Sequence, residues 1–198
     1  MIDAHRDGDL LRLTLNRPDK ANALLGEMME ALAEAFEARD AKVVVLTGAG
    51  RVFSAGMDLE AARTGLATSP IWERLSHAIA THPGLTIAAL NGTCAGGAMG
   101  MVLACDLRIA VPSAKAFYPV MKLGFLPQPS DPARLAALIG PSRAKMILMG
   151  GQKISADQAL AWGLWDELCE DPLARAQEIA ADALGAEAAH IAGIKGLF

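Results

Sequence analysis

Apolar residues recur along the chain in patterns that predict strands of two kinds. Residues 11–15 alternate apolar and polar positions and end at Asn16-Arg17-Pro18, which predicts a half-buried strand followed by a turn. Residues 42–48 and 86–90 instead carry nearly continuous apolar runs that lead into turns with glycine. Such runs are typical of strands that are buried on both faces of a parallel sheet.

Helical patterns lie between and after these strands. Apolar residues recur at every fourth position from Met28 to Phe36 among glutamates, which predicts an amphipathic helix. Residues 70–82 and 96–105 predict two further helices, and a strand over residues 107–111 follows the second of them. This alternation of strands and helices favours an α/β fold with a parallel sheet.

Helix signals dominate the C-terminal third of the chain. Asp131-Pro132 is typical of an N-cap followed by proline at the first helical position. Ser155 and Gln158 form a capping-box pattern, and Gly163 stands where the helix that follows should end.

Composition and charge restrict the class of protein. The 198 residues are 53% hydrophobic, so we predict a single domain over residues 1–198, with an α/β core to about residue 168 and a short helical tail over residues 169–198. Lys and Arg number 18 against 22 Asp and Glu, without a basic cluster, which argues against a nucleic-acid partner. We also predict no membrane span and no secretory signal, and therefore a cytoplasmic protein.

The three cysteines of the chain are Cys94, Cys105 and Cys169. Their number is odd, and they lack the close Cys or His spacing of a metal site. The sequence therefore predicts neither a disulfide framework nor a bound metal.

Two turns with glycine follow the two buried strands, over residues 53–59 and 91–98. Loops at the carboxyl ends of parallel strands face the ligand crevice, and glycine lets the backbone approach a ligand closely. Side by side, the turns could direct two backbone N–H groups at one oxygen, although each alone is also compatible with a packing role. Residues 64–69, after the first turn, would suit a lid.

These turns and their flanking residues resemble the crotonase (enoyl-CoA hydratase/isomerase) superfamily. Asn16-Arg17-Pro18 and Asn22-Ala23-Leu24, followed by residues 44–48 and 53–59, are similar to its N-terminal signature, and residues 91–106 to its second signature. Further matches are Leu123-Gly124, Pro127, Arg134-Leu135, residues 154–156, Ala159 and Gly163-Leu164. The resemblance implies a crotonase-like (ClpP/crotonase) α/β fold of stacked ββα units, here with a shortened C-terminal helical region.

The resemblance also implies a site. The backbone N–H groups of Met57 and Gly97 would form an oxyanion hole for the carbonyl of an acyl-CoA thioester. Coenzyme A would enter as part of the substrate, with no tightly bound cofactor, and would lie along the following residues: Arg17, Lys20, Ala21, Ala23, Leu24, Ala55, Gly56, Asp58, Leu59 and Gly96. Arg17 and Lys20 would pair with its phosphates, or be solvated surface cations. By the same resemblance, we expect this chain to form a homotrimer or a pair of trimers.

Two glutamates of the family's hydratases are absent. The position three residues after the second oxyanion glycine is Gly100, and Pro119 is followed by Val120 where the family has a Pro-Glu pair. Hydration needs a base for water and an acid for the α-carbon, so the resemblance is stronger for the fold than for the reaction. Hydrolysis, decarboxylation or isomerisation of an acyl-CoA thioester is expected; the alternative is a noncatalytic acyl-CoA-binding or assembly-partner protein.

Few residues could replace the glutamates. Tyr118 either presents its hydroxyl to the pocket or is a buried aromatic with a satisfied hydroxyl. Asp131 is either an acid near the pocket or the N-cap of its helix. His77 and His82 are either packing or surface residues or candidate bases.

Overall fold

The computed structural model describes residues 1–198, and its strands form two sheets. The larger sheet has the order β1-β2-β3-β5-β7-β10, in which only β1 is antiparallel to its neighbour. The smaller has the order β4-β6-β8-β9. The strands are β1 Ile2–Asp7, β2 Leu10–Leu15, β3 Val43–Gly48, β4 Val52–Ser54, β5 Leu85–Leu90, β6 Thr93–Ala95, β7 Leu107–Ala110, β8 Lys115–Phe117, β9 Ile154–Ser155 and β10 Glu167–Leu168.

A repeated unit relates the two sheets. Each of β3, β5 and β7 is followed within a few residues by a short strand of the smaller sheet, and each short strand is followed by a helix. The predicted stack of ββα units is therefore confirmed. Because β4, β6 and β8 are parallel neighbours, the turns that leave them lie at the same edge.

The helices cover both faces of the larger sheet. They are α1 Gly26–Glu37, α2 Leu59–Arg63, α3 Ile71–Ala80, α4 Ala98–Ala104, α5 Val120–Leu123, α6 Asp131–Ile139, α7 Pro141–Leu148, α8 Ala156–Trp162, α9 Pro172–Gly185 and α10 Ala188–Lys195. One cluster of 44 buried residues joins α1, α3 and α4 to one face, and α9 packs on the other through Ala176 and Ala180. Val44 and Leu46 face the first cluster and Val43 and Val45 the second, so β3 is buried on both faces as predicted.

The strands and helices that the sequence predicts are present with shifted boundaries, whereas the ranges 53–59 and 91–98, predicted as turns, each contain residues of a short strand, β4 or β6. The helices predicted over residues 70–82 and 96–105 are each shorter at both ends. Ser155 caps α8 by accepting from the N–H of Gln158, and Gly163 ends it in the left-handed region. The prediction that Asp131 is an N-cap is wrong: α6 begins at Asp131, the cap position is Ser130, and the Asp131 carboxylate makes a tertiary contact instead.

Candidate active site

The two glycine turns are packed directly against each other. Gly56 has a φ of +89°, and a Cβ at this position would lie 2.6 Å from the carbonyl oxygen of Ala95 and 3.2 Å from Cα of Gly96. Only glycine combines this φ with so close an approach. The structure thus confirms that the two turns lie side by side.

The backbone N–H groups of Met57 and Gly97, one in each turn, have no acceptor within the protein. Ala55, Gly56 and Asp58 each donate their N–H to an acceptor of the fold, whereas the N–H of Met57 has none. In the second turn, Gly96 donates to the carbonyl of Phe117, and the N–H of Gly97 has no acceptor. Partly buried backbone donors are normally paired, so two such groups on adjacent turns indicate a site for an external acceptor.

Both unpaired donors belong to residues that line one cavity of about 110 Å³. Ten of the 14 lining residues are hydrophobic. The lining residues are Ala55, Met57, Leu59, Ala67, Trp72, Gly96, Gly97, Tyr118, Pro119, Val120, Leu123, Phe125, Leu126 and Gln128. An apolar cavity with a few convergent polar groups is the usual form of a small-molecule site.

Trp72 closes the cavity above Gly97. A Cβ on Gly97 would lie 2.7 Å from the indole ring, and the ring is held by a hydrogen bond of 2.8 Å from its Nε1 to the carbonyl of Leu66. Leu66 is buried in the segment predicted to be a lid, and Ala67 of that segment lines the cavity. Trp72 is not among the site residues predicted from the sequence, because an aromatic on the apolar face of a helix is indistinguishable from a core residue.

The segment over residues 20–24 pairs with the first turn. The N–H of Leu24 donates to the carbonyl of Gly56, and its carbonyl accepts from Asp58. The side chains of Ala23 and Leu24 are buried, and the buried Asn22 amide donates to two carbonyls of the chain. Among the residues expected to hold coenzyme A, Ala23 and Leu24 are therefore part of the scaffold of the turn, while Lys20 is exposed at its edge.

Arg17 and Asp58 form an ion pair beside this turn. The guanidinium lies 2.7 Å from the Asp58 carboxylate and also donates to the carbonyl of Ala23. Asp58 accepts from the N–H groups of Glu60 and Ala61 at the start of α2, so it is a helix cap. The hydrogen bond from Arg17 and these backbone donors lower the pKa of Asp58, which therefore stays ionised and holds the turn.

The two positions of the missing glutamates have different surroundings. Val120 lines the cavity with its methyl groups. Gly100 lies inside α4, and a Cβ there would be 2.8 Å from Oδ1 of Asp131. The Asp131 carboxylate, supplied from α6, therefore occupies the space beside Gly100 into which a longer side chain would project.

Tyr118 joins this carboxylate to the cavity. Its hydroxyl donates to Oδ2 of Asp131 at 2.9 Å. Asp131 is 1% exposed, and its Oδ1 has no partner. Burial raises the pKa of Asp131 to about 6, with Glu73 adding to the rise and with Tyr118 and Arg134 opposing it. The pKa of Tyr118 is raised by burial and by the neighbouring carboxylate.

The two histidines named as candidate bases and the Cys94 thiol lie outside the cavity lining. Both ring nitrogens of buried His82 lie within 3.1 Å of backbone carbonyls, and His77 is exposed on α3 outside the cavity lining. Cys94 is fully buried, and burial raises the pKa of its thiol far above the neutral range.

No group of three His, Cys, Asp or Glu residues could hold a metal ion, and no helix has the length and apolarity needed to cross a membrane.

Comparison with known proteins identifies the relatives of this chain. A sequence model of enoyl-CoA hydratase/isomerase matches residues 5–195. The 1,2-epoxyphenylacetyl-CoA isomerase of Escherichia coli K12 is 34% identical, covering 90% of this chain and 74% of that protein. The carnitinyl-CoA dehydratase of Salmonella typhi is 32% identical, covering 98% of this chain and 78% of that protein. The crystal structure of an enoyl-CoA hydratase from Bacillus anthracis superposes with a TM-score of 0.91 at 30% identity, covering 98% of this chain and 81% of that chain.

Proposed function

The chain belongs to the enoyl-CoA hydratase/isomerase family, and on that premise we propose that Met57 and Gly97 stabilise the enolate oxyanion of a bound acyl-CoA thioester. The observation that carries this proposal is the pair of unpaired N–H groups on two adjacent turns at one apolar cavity. Donors fixed in this way are not reorganised during the reaction, and losing one typically costs on the order of 10²–10³ in rate.

We infer that the coenzyme A moiety lies along the outer side of the first turn. Ala21 is half-buried, while Lys20, Ala55 and Leu59 are exposed there. Lys20 has no ion-pair partner in the chain, so its ammonium is free to meet a phosphate. Arg17 contributes indirectly, because its pairing with Asp58 stabilises the turn.

The acyl group is apolar in this proposal. Beyond the 110 Å³ cavity lies a trough of about 330 Å³ between α5, α6 and α7, and the two share Val120, Phe125 and Leu126. Eight of the 12 residues that line the trough are hydrophobic. An acyl chain longer than the small cavity would therefore continue over these shared side chains, and its burial would contribute about 25 cal/mol per Å².

Isomerisation is the reaction that this site supports best. Hydration requires separate groups for water and for the α-carbon, and both glutamate positions lack a carboxylate. A shift of a double bond requires only that one group remove a proton and return it elsewhere. The cavity lining has one hydroxyl side chain that can take part in such a transfer, that of Tyr118.

The enolate is tested with acetoacetyl-CoA, whose enolate form has its own ultraviolet absorption. We expect binding to raise the enolate fraction, and Gly56→Ala to abolish that rise, because its Cβ would lie 2.6 Å from the carbonyl of Ala95 and separate the two turns. Gly185→Ala is the matched control, since a Cβ there meets nothing within 4 Å.

A panel of acyl-CoA thioesters followed by mass spectrometry then identifies the reaction. We expect a change of double-bond position in an unsaturated thioester and very slow hydration of crotonyl-CoA. If hydrolysis or decarboxylation is the main turnover, that reaction replaces isomerisation in the proposal. Binding without any turnover would favour the noncatalytic alternative. If neither butyryl-CoA, acetoacetyl-CoA nor free coenzyme A binds at millimolar concentration, the proposal fails.

A further inference from the structure

We propose that Tyr118 is the residue that exchanges a proton with the acyl chain and that Asp131 is its buried proton partner, so that the pair replaces the two missing glutamates of this site. The inference rests on the proposed function and specifies its proton transfer. A β,γ-unsaturated acyl-CoA thioester reports on this transfer, because it becomes conjugated when the double bond moves.

The position of Tyr118 carries the first step of the argument. Tyr118 follows β8 directly, while Met57 and Gly97 follow the neighbouring strands β4 and β6, and all three line the same cavity. A proton carrier and an oxyanion site must lie on the same small cavity if one thioester is to reach both. Tyr118 is 4% exposed, so bulk water does not compete for its hydroxyl.

The surroundings of Asp131 carry the second step. A buried carboxylate normally has its oxygens satisfied, yet Oδ1 of Asp131 has no partner and lies against Gly100. If Asp131 only anchored α6, an amide or a hydroxyl could make the single bond from Tyr118 without the cost of burying a charge. A carboxylate retained at this cost is typical of a group whose charge is used.

Gly100 and Asp131 fit one another by volume. A side chain at residue 100 would collide with the carboxylate, since even a Cβ comes within 2.8 Å of Oδ1 and 3.1 Å of Oδ2. The chain therefore has room for one carboxylate at this place, and α6 supplies it in place of α4. The absence of a glutamate at residue 100 is thus matched by the presence of Asp131.

The proposed reaction balances without any added reagent. The Tyr118 oxygen accepts a proton from the α-carbon of the thioester while the Tyr118 hydroxyl proton passes to Oδ2 of Asp131. The C–H electron pair becomes part of a dienolate, whose negative oxygen accepts from the N–H groups of Met57 and Gly97. Tyr118 then gives a proton to the γ-carbon, Asp131 returns its proton to Tyr118, and the double bond has moved from β,γ to α,β.

The charges around Asp131 set the expected pH dependence. Glu73 faces it from α3 and Arg134 from α6, Tyr118 donates to it from the end of β8, and the Cys94 thiol on β6 is neutral. Asp131 can accept a proton only when ionised. With its pKa raised to about 6 by burial, the reaction should accelerate as the pH rises through about 6 and level off above it.

The experiment measures exchange of the α-protons of butyryl-CoA with deuterated water, alongside conversion of 3-hexenoyl-CoA to 2-hexenoyl-CoA. We expect Tyr118→Phe to lower both rates on the order of 10²- to 10⁴-fold while acetoacetyl-CoA binding and its enolate signal remain. Asp131→Asn should slow exchange and remove the rise in rate near pH 6. Asp157→Asn on α8, which is exposed and away from the cavity, is the matched control.

The outcomes separate this inference from the proposed function. Exchange that is equally fast in Tyr118→Phe, or a wild-type protein that enolises acetoacetyl-CoA but exchanges no α-protons, would overturn the role of Tyr118 and leave the oxyanion site intact. Absence of any thioester binding would overturn both. If a variant does not fold, the wild-type pH profile decides, because a rate that is flat between pH 5 and 8 contradicts proton acceptance by Asp131.

Discussion

The buried carboxyl group of Asp131 should make the stability of the protein depend on pH. Its pKa rises from 3.8 to about 6 on folding because the carboxyl group is buried. The folded protein therefore binds more protons than the unfolded chain between these values, and the free energy of unfolding falls as the pH rises from about 4 to about 6. The full loss is about 3 kcal/mol and persists at higher pH.

Replacing Asp131 with asparagine should remove this loss. The amide oxygen can still accept from Tyr118, so we expect Asp131→Asn to be more stable than wild type by up to about 3 kcal/mol at pH 7.5 and close to it at pH 4. Urea unfolding at both pH values measures the difference. If the free energy of unfolding changes equally with pH in the two proteins, Asp131 titrates as an ordinary exposed carboxyl.

The contact between α4 and α6 determines where a carboxylate can sit. Gly100→Glu alone should destabilise the fold by several kcal/mol, because the new side chain overlaps Asp131 and adds a second buried negative charge. Adding Asp131→Gly removes the overlap and should recover part of the loss. We expect a coupling free energy of about 1–3 kcal/mol from a double-mutant cycle of urea unfolding.

The exposed Gly185 provides the control for this cycle. A Cβ there meets nothing within 4 Å and the residue is exposed, so Gly185→Glu should change the unfolding free energy little, with or without Asp131→Gly. If the effects of Gly100→Glu and Asp131→Gly on the free energy of unfolding are strictly additive, the two side chains do not compete for the same space. A protein with glutamate at both residues 100 and 120 that keeps Asp131 is expected to be destabilised in the same way as Gly100→Glu.

Local sequence patterns predicted the longer strands and helices, but not the short strands of the smaller sheet or the contacts between elements. The apolar runs at β3 and β5 and the glycines after β4 and β6 predicted the adjacent turns, because these features depend on strand burial and backbone freedom. The local sequence Asp131-Pro132 also fits a helix N-cap, so it did not distinguish a cap from an acid near the pocket. Its burial against Gly100 joins residues 31 positions apart, and no local pattern encodes such a contact.

The same limit applies to the whole cavity. Trp72, Ala67 and Gln128 come from separate segments and meet at the cavity only after folding. Tyr118 and Asp131 were both named as candidates from the sequence, but their direct hydrogen bond follows from the placement of α6 against β8. The sequence therefore predicted which residues were candidates for proton transfer, and the packing of the elements determines which candidates lie together.

At the scale of the molecule, the outer rim of the trough between α5 and α7 predicts self-association. Leu126 is 88% exposed and Met149 is 61% exposed, and Met121 and Phe125 extend the same apolar surface. Exposed apolar patches of this kind commonly mark interfaces, and a second copy would cover the trough and shield an acyl chain from water. We expect trimers or pairs of trimers by light scattering across a wide range of concentration. Met149→Glu should shift the population towards monomers, whereas Leu160→Glu, at an exposed residue of α8 outside the trough, should not. A wild-type protein that remains monomeric at every concentration would show that this apolar rim serves the substrate alone.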